Sequence, residues 1–125
     1  MAERTERTHS AGPPALLALW TGILLPPVAF LVNLQVSYML VPYACGHGEP
    51  VWLHLSALLF VMVAVVAGLL ARRDWRRAGE EWPDERGDVV TRSRFMAVAG
   101  MLSAAFFAIL MIGQWIANVI IRPCQ

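Results

Sequence analysis

The stretch that decides the fold is Phe30-Leu-Val-Asn-Leu-Gln-Val-Ser-Tyr-Met-Leu-Val-Pro-Tyr-Ala-Cys45, an apolar run that carries four polar side chains between residues 33 and 38 and ends in a cysteine. The C-terminal stretch that ends at Cys124 repeats this design. In each stretch a glutamine, Gln35 or Gln114, precedes the cysteine by ten residues. Along a helix, that spacing places each amide about 15 Å from its cysteine. The matched polar groups and cysteines predict two parallel helices that are joined at one end.

Three apolar windows are each long enough to cross a lipid bilayer, which requires about 20 residues. They run from about residue 14 to 41, 51 to 71 and 95 to 121, and none contains Asp, Glu, Lys or Arg. The fold class we expect is an all-α integral membrane protein with three transmembrane helices in a single domain, residues 13–125. Residues 1–12 are polar and charge-mixed, and we expect them to form a disordered cytoplasmic tail.

The arginines predict how these helices are oriented. Two arginines lie in the N-terminal tail and seven lie in the loop 72–94 between the second and third windows, whereas the first loop has none. We expect the second helix to continue past its apolar window into this loop, to about Arg77. By the positive-inside rule, the N-terminus and the loop 72–94 face the cytoplasm, and the C-terminus faces outward. Both cysteines then lie on the outside, in an oxidising space where disulfides persist.

Proline and glycine predict two irregular places in the backbone. Pro26 and Pro27 lie in the middle of the first window, where a proline removes a hydrogen bond and clashes with the preceding turn. We expect a kink at this pair, and the carbonyl groups that it frees need another donor, for which Thr21 is the candidate. The stretch Pro42–Pro50 contains two prolines and two glycines and predicts a compact turn.

Small residues recur along the second and third windows. In the third window they repeat at a strict spacing of four, and such ladders let helix backbones approach closely within lipid. We therefore expect a tightly packed bundle or a surface for a larger partner. The residues are Ala57, Ala64, Gly68 and Ala71 in the second window and Gly100, Ala104 and Ala108 in the third.

Cys45 and Cys124 are the only cysteines, and we interpret them as a structural disulfide between the ends of the first and third helices. Helices in lipid lack a hydrophobic driving force for association, so a covalent bond between them would stabilise the bundle. A redox role normally uses a C-x-x-C pair, which this sequence does not have. The alternative is a Cu(I) site formed by Cys45, His47 and His54, because thiolate and imidazole ligands suit that metal.

Polar side chains within the first and third windows predict contacts between helices. Within a membrane, one hydrogen bond between helices contributes about 0.6 kcal/mol to the stability of their association. No acidic or basic residue lies at the same depth, so these groups are poor proton carriers. A quinone pocket is an open alternative, and its residues would be Asn33, Gln35, Tyr38, Gln114 and Asn118. The residues with predicted interhelical contacts are Asn33, Gln35, Ser37, Tyr38, Gln114 and Asn118.

Three features resemble a known family when they are taken together. They are the pattern NLQVSYxLVPxxC, the Arg-Asp-Trp-Arg motif after the second helix, and Gln114 with Pro123-Cys124 at the end of the third. Through these features the chain resembles, from about Leu17 to Cys124, small, largely uncharacterised three-helix membrane proteins that accompany bacterial haem–copper cytochrome oxidases. The resemblance implies an accessory or assembly component of a respiratory complex in the bacterial inner membrane.

Composition restricts the remaining function classes. Ten basic residues are balanced by nine acidic ones, whereas a nucleic-acid-binding protein would need a concentrated basic face. Three helices are too few for a transporter with inverted repeats. The sequence therefore predicts a non-enzymatic membrane protein without a cofactor, whose partners are the lipid bilayer and other membrane subunits. The alternative is a copper-handling protein with its site at the outer face.

Overall fold

The described part of the chain folds into three long helices. The computed structural model describes residues 13–83, 89–122 and Cys124, with side chains from Leu16 onward. The helices, in chain order, are α1 (Pro13–His47), α2 (Val51–Arg77) and α3 (Val89–Ile121). Each is long and apolar enough to cross a membrane, which confirms the all-α class and the three predicted spans. The tail 1–12, for which disorder is predicted, lies outside the described residues.

All three helices extend beyond the apolar windows that predicted them. α1 continues to His47, α2 continues to Arg77, and α3 already begins at Val89. The segment 72–94 is therefore helical at both ends. The end of α2 at Arg77 agrees with the prediction, whereas the start of α3 at Val89 lies within the part that we expected to be a loop. Hydropathy marks only the part of a helix that suits lipid, whereas arginine and other long polar residues are good helix formers in water.

The connection between α1 and α2 is shorter than predicted. Gly48 has a φ of 70°, and the N–H of Glu49 donates to the carbonyl oxygen of Ala44 at 3.1 Å, which is a Schellman end to the helix. Only residues 48–50 join the two helices, so α1 and α2 are antiparallel neighbours. Pro42, expected to lie in the turn, is inside α1 because the flanking helical hydrogen bonds hold the backbone on both sides of it.

The pair Pro26-Pro27 also lies inside α1, which continues across it. The carbonyl oxygen of Ile23, which has lost the N–H at position 27, accepts a hydrogen bond from the Ser103 hydroxyl at 3.2 Å. Thr21 was the wrong candidate for this role, because its hydroxyl donates to the carbonyl oxygen of Leu17 at 2.6 Å. Helical side chains tilt towards the N-terminus, so a threonine reaches the preceding turn and not the following one. The predicted kink stays a prediction.

The predicted small residues face the inside of the bundle. Ala57, Ala64 and Ala71 of α2 are buried, and so are Gly100 and Ala104 of α3. Larger side chains fill the middle of the core, where Met111 is 1% exposed and the ring centroids of Phe30 and Phe107 lie 5.5 Å apart. Small side chains therefore fill the space between the helices along one part of the core, and larger side chains fill it around the aromatic pair.

The three helices meet most closely around Gly100. A Cβ atom added to this glycine would lie 3.2 Å from the Cβ of Ala71 and 3.3 Å from both the carbonyl carbon and the carbonyl oxygen of Gly22. One residue from each helix therefore takes part in the contact. We refer to Gly22, Ala71 and Gly100 as the three-helix junction.

Arg94 of α3 contacts the turn that follows α2. Its Nε donates to the carbonyl oxygen of Ala78 at 2.8 Å, and its Nη1 lies 3.0 Å from Oε2 of Glu81. A cation at this place also suits the negative end of the α2 dipole. The turn itself requires Gly79, whose φ is 103°, and an added Cβ there would lie 3.1 Å from Nη2 of Arg94. Arg94 thus fixes how the chain leaves α2.

Candidate functional site

The bundle end that carries both cysteines, here called the cysteine end, is closed by a covalent bond. The Sγ atoms of Cys45 and Cys124 lie 2.06 Å apart and their Cα atoms lie 5.3 Å apart, which confirms the predicted disulfide. The bond joins the last turns of α1 to the chain just beyond α3. Because both helices run towards this end, they are parallel to each other.

The residues of the copper hypothesis are engaged in other contacts. Cys45 has no free thiolate in the disulfide, and thiolate is the cysteine ligand that Cu(I) binds. His47 stacks on the ring of Tyr43, with centroids 4.3 Å apart, and its Nδ1 lies 3.0 Å from the Tyr43 carbonyl oxygen. Among the described residues, no three His, Cys, Asp or Glu side chains are grouped so that they could hold a metal ion. The geometry therefore gives the copper hypothesis no support.

His54 instead connects α2 to α3. Its Nδ1 accepts a hydrogen bond of 2.8 Å from the indole Nε1–H of Trp115, and the two rings meet edge to face. Because an indole nitrogen is only a donor, Nδ1 of His54 is the acceptor in this pair. Sequence reasoning missed this pair. Both residues lie within about two turns of the cysteine end of their helices. This similar depth is the sequence signal that could have indicated the contact.

Asn33 and Gln114 form the polar contact between α1 and α3. The Nδ2 of Asn33 donates to Oε1 of Gln114 at 3.4 Å, a long hydrogen bond. Asn33 is 1% exposed, and its Oδ1 is buried without a hydrogen-bond partner among the described residues. The structure thus brings together two of the six residues for which we predicted interhelical contacts.

The other four predicted residues occupy different surroundings. Ser37 and Asn118 are half-buried, whereas Gln35 and Tyr38 lie on the outer surface of the bundle, where Tyr38 is 77% exposed. Gln35 and Tyr38 make no hydrogen bond to another helix among the described residues, and the interhelical contacts predicted for them stay predictions. The outward position of Gln35 has a geometric reason: a separation of two residues rotates the side chain by about 200° around the helix axis, so Gln35 points away when Asn33 points inward.

Gln35 and Tyr38 belong to an exposed row along α1, which we call the α1 stripe. Its apolar members are between 51% and 64% exposed. Their spacing alternates between four and three residues, the pattern of positions a and d in coiled coils. The stripe consists of Leu24, Val28, Leu31, Gln35 and Tyr38.

A cavity of about 450 Å³ lies beside the disulfide. Its walls are mainly apolar, and three polar side chains reach it, from His54, Asn118 and Arg122. Of the residues considered for a quinone pocket, only Asn118 lines this cavity. The others are divided between the Asn33–Gln114 contact and the α1 stripe, so the structure does not assemble that pocket.

No protein-family model, curated protein or solved structure matches this chain. The α1 stripe is poorly suited to lipid alone, because it combines an apolar row with an exposed amide and a phenol.

Proposed function

We propose that this protein is a non-catalytic subunit or assembly factor that docks through the α1 stripe onto a transmembrane helix of a larger respiratory complex. The observation that carries the proposal is the exposure of Gln35 and Tyr38 on a helix that crosses the membrane. An amide left in hydrocarbon without a partner costs several kcal/mol by transfer scales, roughly 2 to 7. A helix with a polar group at the same depth would remove that cost.

The spacing of the stripe also favours a helical partner. Alternation by four and three residues is the geometry of left-handed packing at about 20°, the commonest arrangement between transmembrane helices. Two side chains in the stripe can hydrogen-bond, and each bond would contribute about 0.6 kcal/mol, with a maximum near 2. The apolar members would provide the packing contacts.

The interior of the bundle supports a structural role. Two polar contacts join side chains of different helices in the membrane part of the described residues, namely the Asn33–Gln114 amide pair and the Trp115–His54 hydrogen bond. The first is between two amides, which do not titrate. The second engages the imidazole of His54 with an indole, so these groups make a poor acid–base site. Such contacts hold helices together, and this is what a subunit with a docking function requires.

The type of partner and the membrane come from the sequence. The resemblance to proteins that accompany haem–copper oxidases indicates a cytochrome oxidase-type complex in the bacterial inner membrane. The arginine distribution places the cysteine end outside and the N-terminus inside. A reporter protein fused after Gln125 should therefore lie outside the membrane, and one inserted at Gly79 should lie inside, in the cytoplasm. The reverse pattern would refute this orientation.

Purification from mild detergent tests the docking proposal. We expect the tagged full-length chain to migrate with a complex that shows haem absorbance. Gln35→Leu should weaken that association about threefold, the value of one membrane hydrogen bond. A haem-free monomer throughout growth would contradict the proposal.

Site-specific photocrosslinking identifies the surface that is used. A photoreactive residue at position 38 should crosslink to an oxidase subunit, whereas one at position 58 should not. Leu58 is a suitable control because it is 54% exposed, lies on α2, and has a similar distance from the cysteine end. Equal crosslinking at both positions would mean that the stripe is not the interface. Crosslinks to a second copy of this chain alone would replace the oxidase with a homodimer.

A further inference from the structure

A second surface feature lies at the opposite end of the bundle, between α1 and α2. It is a groove of about 270 Å³, which we call the arginine groove. Small side chains on both helices leave the space open. The groove is lined by Ala18, Thr21, Gly22 and Leu25 of α1 and by Ala67, Leu70, Arg73, Asp74 and Arg77 of α2.

The arginine groove is apolar along its length and charged at its mouth. Arg73 and Arg77 are one helical turn apart, so both guanidinium groups project from the same face of α2. Both side chains are exposed. The ion pairs found among the described residues engage Arg76 and Arg94, which are different arginines.

We propose that the arginine groove binds an anionic phospholipid, with the phosphate at Arg73 and Arg77 and an acyl chain along the apolar wall. Guanidinium groups bind phosphate oxygens through paired N–H donors. Basic pockets between transmembrane helices are the sites where anionic headgroups bind. The wall is open to the surrounding lipid, because Ala18 is exposed and Leu70 is 47% exposed. A soluble anion would leave this apolar wall unused.

Asp74 determines which anionic lipid fits. Its carboxylate lies in the same lining as the two guanidinium groups, so the charged residues of the groove sum to one positive charge. A phosphodiester carries a single negative charge and matches that sum. A phosphomonoester carries between about 1.5 and 2 negative charges at neutral pH and would be repelled by Asp74. The lipid is therefore a phosphodiester with an uncharged headgroup, such as phosphatidylglycerol.

Native mass spectrometry of the full-length chain in detergent tests this assignment. The probes are phosphatidylglycerol, zwitterionic phosphatidylethanolamine, and glycerophosphoglycerol, the same phosphodiester without acyl chains, as a soluble anion. We expect phosphatidylglycerol to bind most tightly. Replacing both Arg73 and Arg77 with Gln should weaken its binding about 30-fold, because each juxtamembrane arginine raises the affinity for an anionic lipid roughly fivefold.

A matched control uses the neighbouring arginines of the same helix. The double variant Arg72→Gln/Arg76→Gln removes the same charge from outside the groove and should change binding less than threefold. Equal losses in the two double variants would show a diffuse charge effect and would overturn the proposal. Equally tight binding of phosphatidylethanolamine or of glycerophosphoglycerol would overturn it as well.

A second variant tests the apolar wall without changing any charge. Ala18→Phe fills the groove from an exposed position of α1, so the bundle should still fold, which the intact disulfide would verify. We expect it to weaken phosphatidylglycerol binding about tenfold and to leave the binding of glycerophosphoglycerol unaffected. Unchanged lipid binding in this variant would exclude the groove as the acyl-chain site.

Discussion

The three-helix junction makes Gly100→Ala the sharpest test of the packing. The added methyl group would meet the Cβ of Ala71 at 3.2 Å and the backbone carbonyl of Gly22 at 3.3 Å. A backbone atom cannot rotate away as a flexible side chain can. The methyl group therefore fits only if α1 or α2 moves outward by a few tenths of an ångström.

The expected cost follows from these contacts. An extra methyl group in a tightly packed core destabilises by about 1 to 3 kcal/mol. The usual helix-propensity gain of alanine over glycine, up to about 1 kcal/mol, applies when the unfolded state is a coil. Helices that persist in detergent-unfolded membrane proteins cancel most of that gain. We therefore expect Gly100→Ala to lower the free energy of unfolding by about 1 to 2 kcal/mol.

Titration with sodium dodecyl sulfate in mixed micelles measures this change, and α3 itself provides the control. An added Cβ at Gly113 has nothing within 4 Å, so Gly113→Ala introduces the same methyl group into the same helix without a clash. Its effect should stay within about 0.5 kcal/mol. If Gly100→Ala costs no more than Gly113→Ala, then the three helices do not approach as closely as described, and the argument from the junction is refuted.

Three other perturbations have defined outcomes. Ser103→Ala should lower the free energy of unfolding by about 0.6 to 2 kcal/mol. The loss should be much smaller in a Pro27→Ala background, because an N–H at position 27 again reaches the Ile23 carbonyl, and a double-mutant cycle without coupling would contradict this. Cys45→Ser should cost at most about 4.5 kcal/mol, the chain-entropy value for 79 residues, because inserted helices are already confined; detergent titration with and without a reductant checks it. Arg94→Gln should lower the free energy of unfolding by about 1 to 2 kcal/mol in the same titration, because it loses charge-assisted hydrogen bonds. An equal loss on removing the exposed carboxylate of Glu81 would contradict this.

The helices and the disulfide could be predicted because local patterns specify them. Long apolar windows are required for membrane crossing, and the equal spacing of Gln35 and Gln114 from their cysteines indicated two parallel helices of matched depth. The helix ends could not be read in the same way. Hydropathy describes the solvent around a helix, whereas the N–H and C=O groups of the backbone decide where the helix ends, as Pro42 and Gly48 show.

The inward face of α1 was not predictable for a reason specific to membranes. In water, polarity marks the outside of a helix, but lipid and protein interior are both apolar, so that contrast is weak. Asn33 and Gln35 have similar chemistry, yet one is buried and the other is exposed. The donor for Ile23 was missed for a related reason. Thr21 is near in sequence, whereas Ser103 comes from a helix whose position only the fold provides.

The disulfide also has a consequence for the synthesis of the protein. Cys45 and Cys124 are the only two cysteines and are separated by 79 positions, so a ribosome that adds about 5 to 20 residues per second leaves Cys45 without a partner for roughly 4 to 16 s. The bond can close only after α3 has been translated and threaded to the end where α1 already lies. A chain arrested before that stage keeps a free thiol that a maleimide reagent labels. The oxidised bond therefore marks chains in which all three helices have been inserted.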